Sequence, residues 1–263
     1  RNFKTPHTAG LFGLHASMSL SEDTLNQVSA RLKGAPIHIH VAESEMDEED
    51  AINKYGERVV ERLDRHGLIN EDSLLIHCVH VNDKELDIIK RRQAAIVVNV
   101  TSNMNNAVGL PNINKFREKE IPVMIGNDGL SSGIANEYIN VLYSAHLLNK
   151  KPTAFDLGNL LEMINQGYEY VSRHLGVKIG RIEAGYEADL LLMPYVPPTA
   201  LDKSNALGHL FYGLMHAFKP SDVFVAGNHL LKNYELANKK LVLEYEKSQG
   251  VADRLWNRIK GEK

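Results

Sequence analysis

Five largely apolar segments, each followed by a stretch with helical character, occupy the first half of this 263-residue sequence. A half-exposed antiparallel strand alternates apolar and polar residues, whereas a strand covered on both faces is apolar along most of its length. Strands of the second kind that alternate with helices are typical of a parallel sheet covered by helices. We therefore predict an α/β fold with strands at residues 11–15, 37–42, 74–79, 94–100 and 121–126.

Helix-capping residues mark the intervening segments. Ser21 precedes a helix that carries Glu22 and Asp23 in its first turn, and Asn82 precedes another helix. Side-chain oxygens at such positions accept hydrogen bonds from the first backbone N–H groups of a helix, which have no partner within it. The predicted helices cover residues 21–32, 45–66, 82–92, 113–119, 136–148 and 155–175.

A polar side chain of a kind that binds ligands lies near the end of each predicted strand. A doubly wound open sheet and a (β/α)8 barrel both fit the alternation of strands and helices. An open sheet gathers its site at one switch point, whereas a barrel directs residues from many strands to one rim. We therefore favour the barrel, with rim residues His15, His40, His77, Ser102-Asn103 and Asp128.

The sequence changes character after about residue 178. A glycine-punctuated turn leads into a strand within 180–193, and residues 223–232 are typical of a hairpin with Gly227-Asn228 as its turn. A helix rich in charge over 236–262 closes the chain. The predicted domains are 1–178, the barrel part, and 179–263, a small β-rich domain with a terminal helix.

Composition excludes several classes of protein. The 30 basic and 33 acidic residues give a formal charge of −3, so nucleic acid and acidic membrane surfaces are not expected partners. The apolar segments are far shorter than the roughly 18–20 residues needed to cross a bilayer. A single cysteine, Cys78, excludes an internal disulfide framework and predicts a reducing, cytoplasmic setting. Because the chain opens Arg1-Asn2-Phe3 without an initiator methionine, we expect further residues ahead of it in the native gene product.

His40-Val41-Ala42-Glu43 is the most specific local motif. His40 ends an apolar strand, and Glu43 follows where the chain has left that strand. This spacing lets the imidazole bind a metal while the carboxylate carries protons over the same site. The alternative is a core histidine followed by an acidic residue that starts a helix.

His38 shares a strand face with His40. For His38 we favour a structural role deeper in the barrel over a role as a second metal ligand.

The next strand ends in His77-Cys78-Val79-His80. His77 is a candidate second metal ligand, or a donor that polarises the bond to be broken. Cys78 is more typical of a packed strand residue than of a nucleophile. For His80 we favour a loop or capping role over substrate contact.

Asp128 follows the last predicted strand, in Gly126-Asn127-Asp128-Gly129. A carboxylate there can bind a divalent ion and take a proton from an attacking water. The alternative, a simple Asp-Gly turn, is weakened because residues 130–133 do not begin a second strand. His15 is a candidate substrate contact, and for Ser102-Asn103-Met104 we favour a role in shaping the rim.

These signatures together resemble those of the amidohydrolase superfamily, in its aminohydrolase/chlorohydrolase (ATZ/TRZ-like) branch. The resemblance covers nearly the whole chain and is greatest to SsnA-type aminohydrolases, around residues 13–17 and 208–213. The segment Ile182 to Leu190 is also similar to the family's small β-sandwich. The residues that carry the resemblance, in order, are His15, His40 with Glu43, His77-Cys78, Ser102-Asn103-Met104 and Asp128-Gly129.

The resemblance implies one divalent metal ion, zinc first, with iron or manganese as alternatives. It implies metal ligands from a His-x-His pair on the first barrel strand, from His40 and from Asp128. It further implies that Glu43 shuttles protons, that His77 orients hydroxide or substrate, and that His15 contacts substrate. The implied reaction is attack of metal-activated hydroxide on an amidine-type carbon of a nitrogen heterocycle, or on a carbon–halogen bond.

One departure from the family pattern is large, because no His-x-His pair precedes His15. The five strands match the fourth to eighth strands of the barrel, so we predict a partial (β/α)8 barrel with a β-sandwich remnant. A complete barrel takes roughly 250 residues. We therefore expect this sequence to be the C-terminal portion of a longer enzyme, to bind metal weakly and to be inactive alone.

Open sheet edges and apolar strand faces recruit partners. We accordingly expect a homo-oligomer, or association with the missing N-terminal part, and a small-molecule substrate. The alternative function is a non-catalytic scaffold or oligomerisation module derived from the same fold. The sequence leaves the identities of the substrate and the metal open.

Overall fold

The computed structural model describes Thr5, His7–Leu130 and Ser132–Gly261. The opening residues Arg1 to Phe3, from which the sequence predicts a preceding segment, lie outside the described residues. Two compact units are present: one runs up to Val177 and takes in Thr199–His216, and the other comprises Lys178–Pro198 and the chain from Ala217. Among the described helices, none combines the length and the apolar character needed to span a bilayer.

A five-stranded parallel sheet forms the centre of the first unit, with its strands in sequence order. Each strand pairs with the next after one or two helices, as the alternation of apolar and helical segments predicts. The α/β expectation is therefore confirmed at the level of a parallel sheet with helices. The strands are β1 Phe12–Ala16, β2 Ile37–Val41, β3 Leu74–His77, β4 Ala95–Val98 and β5 Val123–Ile125.

Eight helices of the first unit connect or follow these strands. The predicted caps are confirmed, because Ser21 accepts a hydrogen bond from the N–H of Thr24 and Asn82 from that of Glu85. These helices are α1 Glu22–Leu32, α2 Glu45–Tyr55, α3 Val59–Arg65, α4 Asp83–Arg92, α5 Val100–Asn105, α6 Ile113–Glu118, α7 Ile134–Asn149 and α8 Leu157–Leu175.

Two helical segments differ from the sequence prediction. The single helix predicted over 45–66 is two helices, because Gly56 ends α2 in a left-handed conformation with φ +74° and Arg58 starts α3. The predicted strand over 94–100 ends at Val98, and the backbone turns at Asn99 into α5. The rim segment at 102–104 is therefore helical.

The two faces of the sheet have different surroundings. One face packs against the helices and contributes Ile37, Ile39, Val41 and Leu75 to the main core. The opposite face carries the ring of His40, with a small apolar cluster of Ala95, Met124 and Tyr170. Tyr170 lies on α8, which packs along the edge strand β5. This second face is the one that bears the candidate site.

Residues 199–216 pack with the first unit. They form a short helix, α9 Ala206–Gly208, and a π-helical turn at His209–Leu214. Phe211 in this turn is 1% exposed and meets the ring of Tyr138 edge-on at 6.2 Å. The predicted boundary after residue 178 assigns this segment to the second domain, so the structure divides the chain differently there.

The second unit contains a four-stranded antiparallel sheet followed by a long helix whose residues are almost all exposed. The hairpin is confirmed, but its two-residue turn is Ala226-Gly227 rather than Gly227-Asn228, because Val225 pairs with Asn228. Positive φ angles at both turn residues, +47° and +76°, fit a type I′ turn. The elements are β6 Leu190–Leu192, β7 Asp222–Val225, β8 Asn228–Lys232, β9 Glu235–Leu236 and α10 Lys239–Lys260.

Candidate active site

The carboxyl ends of the parallel strands bring the predicted rim residues to one edge of the sheet. His15 lies on β1 with its ring centroid 5.8 Å from that of His40 on β2. The His40 ring lies in turn 5.3 Å from the ring of His77, the last residue of β3. Three imidazoles from three adjacent strands therefore form a row along this edge.

Two carboxylates meet the third imidazole. The Nε2 atom of His77 lies 3.5 Å from Oε2 of Glu43, in the loop after β2, and 3.8 Å from Oδ2 of Asp128, in the turn after β5. One ligand atom from each of these three residues falls within 4.8 Å of the other two. Side chains separated by up to 85 positions in the sequence thus surround one small volume, which we call the Glu43–His77–Asp128 cluster.

Left-handed backbone conformations surround the cluster. Ala42, His77, Cys78 and Asp128 have φ angles of +45°, +71°, +51° and +52°. For residues other than glycine this region costs about 1–2 kcal/mol each, and such residues concentrate at functional sites. Strand alternation alone would place the side chain of His77 in the core with that of Val41, its register partner. The ring of His77 instead meets that of His40 on the opposite face of the sheet, as a direct consequence of this conformation.

Burial sets the charge of His77. The side chain is fully enclosed, and its Nε2 atom has no hydrogen-bond partner. Burial lowers the pKa of His77, with a further decrease from the nearby His40, and this outweighs the opposing effect of the two carboxylates. The ring is therefore neutral near pH 7 and offers one donor and one acceptor nitrogen.

Asp128 is held as an anion. Its Oδ2 atom accepts a 2.7 Å hydrogen bond from the hydroxyl of Ser102. This bond, reinforced by the backbone N–H of Gly129, lowers the pKa of the carboxyl group despite partial burial. An ionised carboxylate at this edge suits both metal binding and proton abstraction.

Glu43 is oriented from two sides. Its Oε1 atom accepts a hydrogen bond of 3.2 Å from the side-chain amide of Asn106, and its backbone N–H donates to Oδ2 of Asp47 at 3.0 Å. Asp47 is buried in the first turn of α2. The free Oε2 atom of Glu43 is left facing His77, where it can exchange a proton with a ligand bound between them.

Helix α5 holds all three members of the cluster. Ser102 bonds Asp128, Asn103 donates a 2.9 Å hydrogen bond to Nδ1 of His77, and Asn106, just after the helix, bonds Glu43. Spacings of one and four residues place these side chains on neighbouring faces of one turn. Ser102 and Asn103 are predicted as rim residues, whereas Asn106 and the helix are not predicted. The run of polar residues after the buried strand β4 is the feature of the sequence that could have indicated them.

His15 and His80 have different surroundings. His15 is exposed and pairs through Nδ1 with Oγ of Ser19 at 2.8 Å, which leaves the ring facing the site. His80 donates its backbone N–H to the carbonyl of Ala42 at 3.0 Å, and its Nε2 pairs with the carbonyl of Val108 at 2.6 Å. It thus ties the loops after β2, β3 and α5 together, and the predicted loop role fits these contacts.

Cys78 is fully buried in the main core, where burial raises the pKa of its thiol. A buried neutral thiol is a poor nucleophile. The packing role predicted for Cys78 is the one its surroundings support. His38, by contrast, has an exposed side chain earlier on β2 and lies outside the cluster.

The donor set fits a divalent metal ion. Imidazole nitrogen and carboxylate oxygen are the ligands that zinc and related first-row ions take, and at this edge the imidazole row meets the carboxylates of Glu43 and Asp128. The resemblance implies His40 and Asp128 as metal ligands. Asp128 is a member of the cluster, whereas His40 lies beside it, with its ring centroid 5.3 Å from that of His77. A cleft of about 520 Å³ elsewhere on this unit, lined by residues such as Ala95 and Arg173, contains no cluster residue.

Comparisons with known proteins identify the family of this chain. The model of the amidohydrolase family matches residues 3–230. A 5'-deoxyadenosine deaminase of Methanopyrus kandleri is 34% identical over 88% of this chain, and a 5-methylthioadenosine/S-adenosylhomocysteine deaminase of Syntrophomonas wolfei is 31% identical over 80%. The matches cover 55% and 49% of those relatives. The chain therefore spans about half the length of the curated relatives that it matches.

Solved structures show the same fold. An adenosine deaminase from Xanthomonas campestris with bound zinc superposes with a TM-score of 0.80 at 24% identity, covering 94% of this chain and 57% of the other. The atrazine chlorohydrolase TrzN from Arthrobacter aurescens, complexed with zinc and atraton, gives a TM-score of 0.73 at 17% identity over 92% and 56%. With the family model matching most of its length, this chain belongs to the amidohydrolase family, whose members act as metal-dependent hydrolases.

Proposed function

We propose that this chain is the C-terminal portion of an aminohydrolase that deaminates a nitrogen heterocycle, with adenosine-type compounds as the first substrates to test. The observation that carries the proposal is the convergence of Glu43, His77 and Asp128 within 4.8 Å. The names of the similar proteins, which are deaminases of adenosine derivatives, direct the choice of substrate.

Hydrolytic deamination replaces an exocyclic amino group by oxygen. A water oxygen bonds to the ring carbon, the carbon–nitrogen bond breaks, and ammonia leaves. Water supplies both protons that the reaction moves. Glu43 takes the first and passes it to the ring nitrogen, and Asp128 takes the second, which then goes to the departing amine. The hydrogen bond from Asn106 keeps the other carboxylate oxygen of Glu43 fixed during its transfer.

Two histidines of the row, His77 and His15, have binding roles in this proposal. His77 orients the attacking oxygen or the substrate from its buried position between the carboxylates. His15, exposed at the end of the row, contacts the substrate. His40 and Asp128, together with ligands from outside this sequence, would hold a divalent ion, whose chemistry would be to lower the pKa of water.

The finer features of the fold belong to the same proposal. The five parallel strands correspond to the fourth to eighth strands of a (β/α)8 barrel, and the antiparallel sheet to part of a β-sandwich. Two of the expected ligands, from a His-x-His pair, have no counterpart before His15. We therefore propose that this chain is inactive by itself, that it associates with another copy or with the part that supplies these ligands, and that it acts in the cytoplasm.

An ammonia-release screen on the full-length protein tests the function. The compounds are 5'-deoxyadenosine, S-adenosylhomocysteine, guanine, cytosine and a chlorinated triazine. We expect ammonia from an adenosine-type compound, with a loss of about 10²-fold or more in Glu43→Gln. Glu45→Gln is the matched control, because the Glu45 side chain is 80% exposed and lies two residues away.

Three other outcomes of these measurements would each lead to a different conclusion. Release of chloride from the triazine without ammonia release from the other compounds would assign a chlorohydrolase. A metal-loaded protein that releases neither product would support the non-catalytic scaffold. Equal losses in Glu43→Gln and Glu45→Gln would remove the proton-carrying role from Glu43.

A further inference from the structure

The contact between Asn103 and His77 determines which nitrogen of the imidazole carries the proton. The side-chain amide nitrogen of Asn103 lies 2.9 Å from Nδ1 of His77, and both side chains are fully buried. An amide nitrogen donates hydrogen bonds and does not accept them. Nδ1 of His77 is therefore the acceptor, and the single proton of the neutral ring is on Nε2.

The other side of the ring favours the same tautomer. Nε2 faces the Oε2 atom of Glu43 at 3.5 Å and the Oδ2 atom of Asp128 at 3.8 Å. Both are acceptors, so a proton on Nε2 is attracted to them. The opposite tautomer would set an N–H group against the amide hydrogens of Asn103 and a lone pair against two carboxylates, which is unfavourable at both ends.

Asn103 is itself fixed in place. Its backbone N–H donates to the carbonyl of Asn99 at 3.0 Å, and its own carbonyl accepts from the N–H of Val108 at 3.2 Å. Its side-chain oxygen is buried without a hydrogen-bond partner. A buried polar atom left unpaired costs free energy, so the amide is not placed here for the stability of the fold alone.

We propose that Asn103 is a positioning residue that holds His77 in the Nε2–H tautomer, so that the ring presents a hydrogen-bond donor between Glu43 and Asp128. The tautomer follows from the contacts alone. Its use, donation to the substrate or to the attacking oxygen, rests on the proposed function. The assignment also resolves the two roles that the sequence leaves open for His77, because a protonated Nε2 is a donor and not a metal ligand.

Nuclear magnetic resonance of the imidazole nitrogens tests the tautomer directly. The full-length protein is labelled with ring-¹⁵N histidine, and two-bond proton–nitrogen correlations are recorded near pH 8, where His77 is neutral. The spectrum of His77→Gln identifies the signals of His77. We expect a protonated Nε2 and an unprotonated Nδ1 in the wild-type protein.

Two variants and a control test the part played by Asn103. Asn103→Asp presents an acceptor to Nδ1 and should move the proton to that nitrogen or protonate both. Asn103→Leu, of similar volume, leaves only the two carboxylates to favour Nε2–H, so a fraction of the Nδ1–H tautomer should appear. Asn26→Asp makes the same change of charge on the exposed surface of α1 and should leave the His77 signals unchanged.

Two results would overturn the proposal. A protonated Nδ1 in the wild-type protein would contradict the tautomer, whether or not any variant folds. An unchanged Nε2–H tautomer in Asn103→Leu would remove the role of Asn103. Both readouts are independent of catalysis.

The catalytic consequence is measured separately, on the metal-loaded full-length protein. Outer contacts of this kind are worth about 10–100-fold in activity, so we expect Asn103→Asp to lower kcat by such a factor with little change in KM. An unchanged kcat would overturn the donor role. If the wild-type protein deaminates none of the compounds, the proposed function fails while the tautomer result stands.

Discussion

The charged side chain of Arg62 is fully enclosed. Its guanidinium donates to Oε1 of Glu22 at 2.8 Å, to the carbonyl and hydroxyl of Ser17 at 3.0 and 2.9 Å, and to the carbonyl of Leu20 at 2.6 Å. The ring of Tyr55 lies 3.6 Å from it. Arg62 thereby fixes the turn after β1, directly beyond His15.

Replacement of Arg62 by methionine tests this anchoring. The substitution removes the hydrogen bonds to Ser17 and Leu20, whereas Glu22 is 39% exposed and keeps Arg65 and His66 as partners. We therefore expect Arg62→Met to lower the free energy of unfolding by about 1–3 kcal/mol. Arg31→Met, on the exposed face of α1, should stay within about 0.5 kcal/mol. Urea denaturation of both variants measures the difference. Equal effects would show that the enclosed arginine contributes no more than a surface one.

Glu48 makes stability depend on pH. Burial and the adjacent carboxylate of Glu85 raise its pKa from 4.5 to about 8, and Arg58, which contacts both carboxylates, offsets this only in part. The folded state therefore binds a proton more tightly than the unfolded state. The stability that this gives is complete below pH 4.5 and is lost as the pH rises through 8.

The variant Glu48→Gln should remove this dependence. Between pH 5 and pH 8 we expect its free energy of unfolding to gain about 3 kcal/mol relative to the wild-type protein. Glu49→Gln, at the exposed neighbouring position, should show no such gain. Denaturant titrations at both pH values provide the measurement. A parallel pH profile of wild type and Glu48→Gln would contradict the raised pKa.

At the residue scale the sequence predicts which side chains approach one another, but not how they are held. His15, His40, Glu43, His77 and Asp128 all lie near the site, as the strand ends predict. Alternation along β3 predicts the side chain of His77 on the core face with Val41, whereas its φ angle is positive and its ring meets that of His40 on the opposite face.

At the element scale, the end of β5 depends on close packing against the preceding strand. A Cβ atom on Gly126 would lie 2.3 Å from Oδ1 of Asn99 and 2.9 Å from Cγ1 of Val97. Only glycine fits so close an approach. The contact positions the turn that carries Asp128 beside α5.

Gly126→Ala should therefore disturb both stability and site. Forcing a methyl group into a packed position costs about 1–3 kcal/mol. Gly13→Ala, in β1 with open space around the position, is the matched strand control and should cost less than about 1 kcal/mol. Thermal unfolding compares the two. A smaller loss in Gly126→Ala than in Gly13→Ala would contradict the packing argument.

The long elements were predictable from sequence and the short ones were not. Apolar runs and the caps Ser21 and Asn82 predict the sheet and its helices, because burial and capping leave clear patterns. Helix α5 has six residues, and its first residue continues the apolar run of β4, so periodicity cannot separate the two. The break at Gly56 is another local feature. The charged pattern continues across it, so this pattern does not indicate that there are two helices.

At the scale of the whole molecule, the sheet has two edge strands, β1 and β5. Phe12 on β1 is 43% exposed, and the backbone N–H of Val123 on β5 donates to the side chain of Gln166 rather than to another strand. Helix α8 thus covers the edge at β5, whereas no further described strand covers the edge at β1, and such an edge favours association. We therefore expect this chain to form an oligomer or to bind the part that completes the sheet.

Light scattering of the purified chain checks this expectation. The mass of one chain is 29.4 kDa. A particle of at least twice this mass is the expected result. A stable monomer over a wide range of concentration would show that the edge at β1 needs no partner.

Metal analysis of the full-length protein tests most directly whether Asp128 and the histidine row form one metal-dependent site. We predict about one divalent ion per chain in the wild-type protein and in Asp253→Ala, an exposed control on α10. Asp128→Ala should lose most of the metal together with hydrolysis. Unchanged metal content and unchanged hydrolysis in Asp128→Ala would contradict the account.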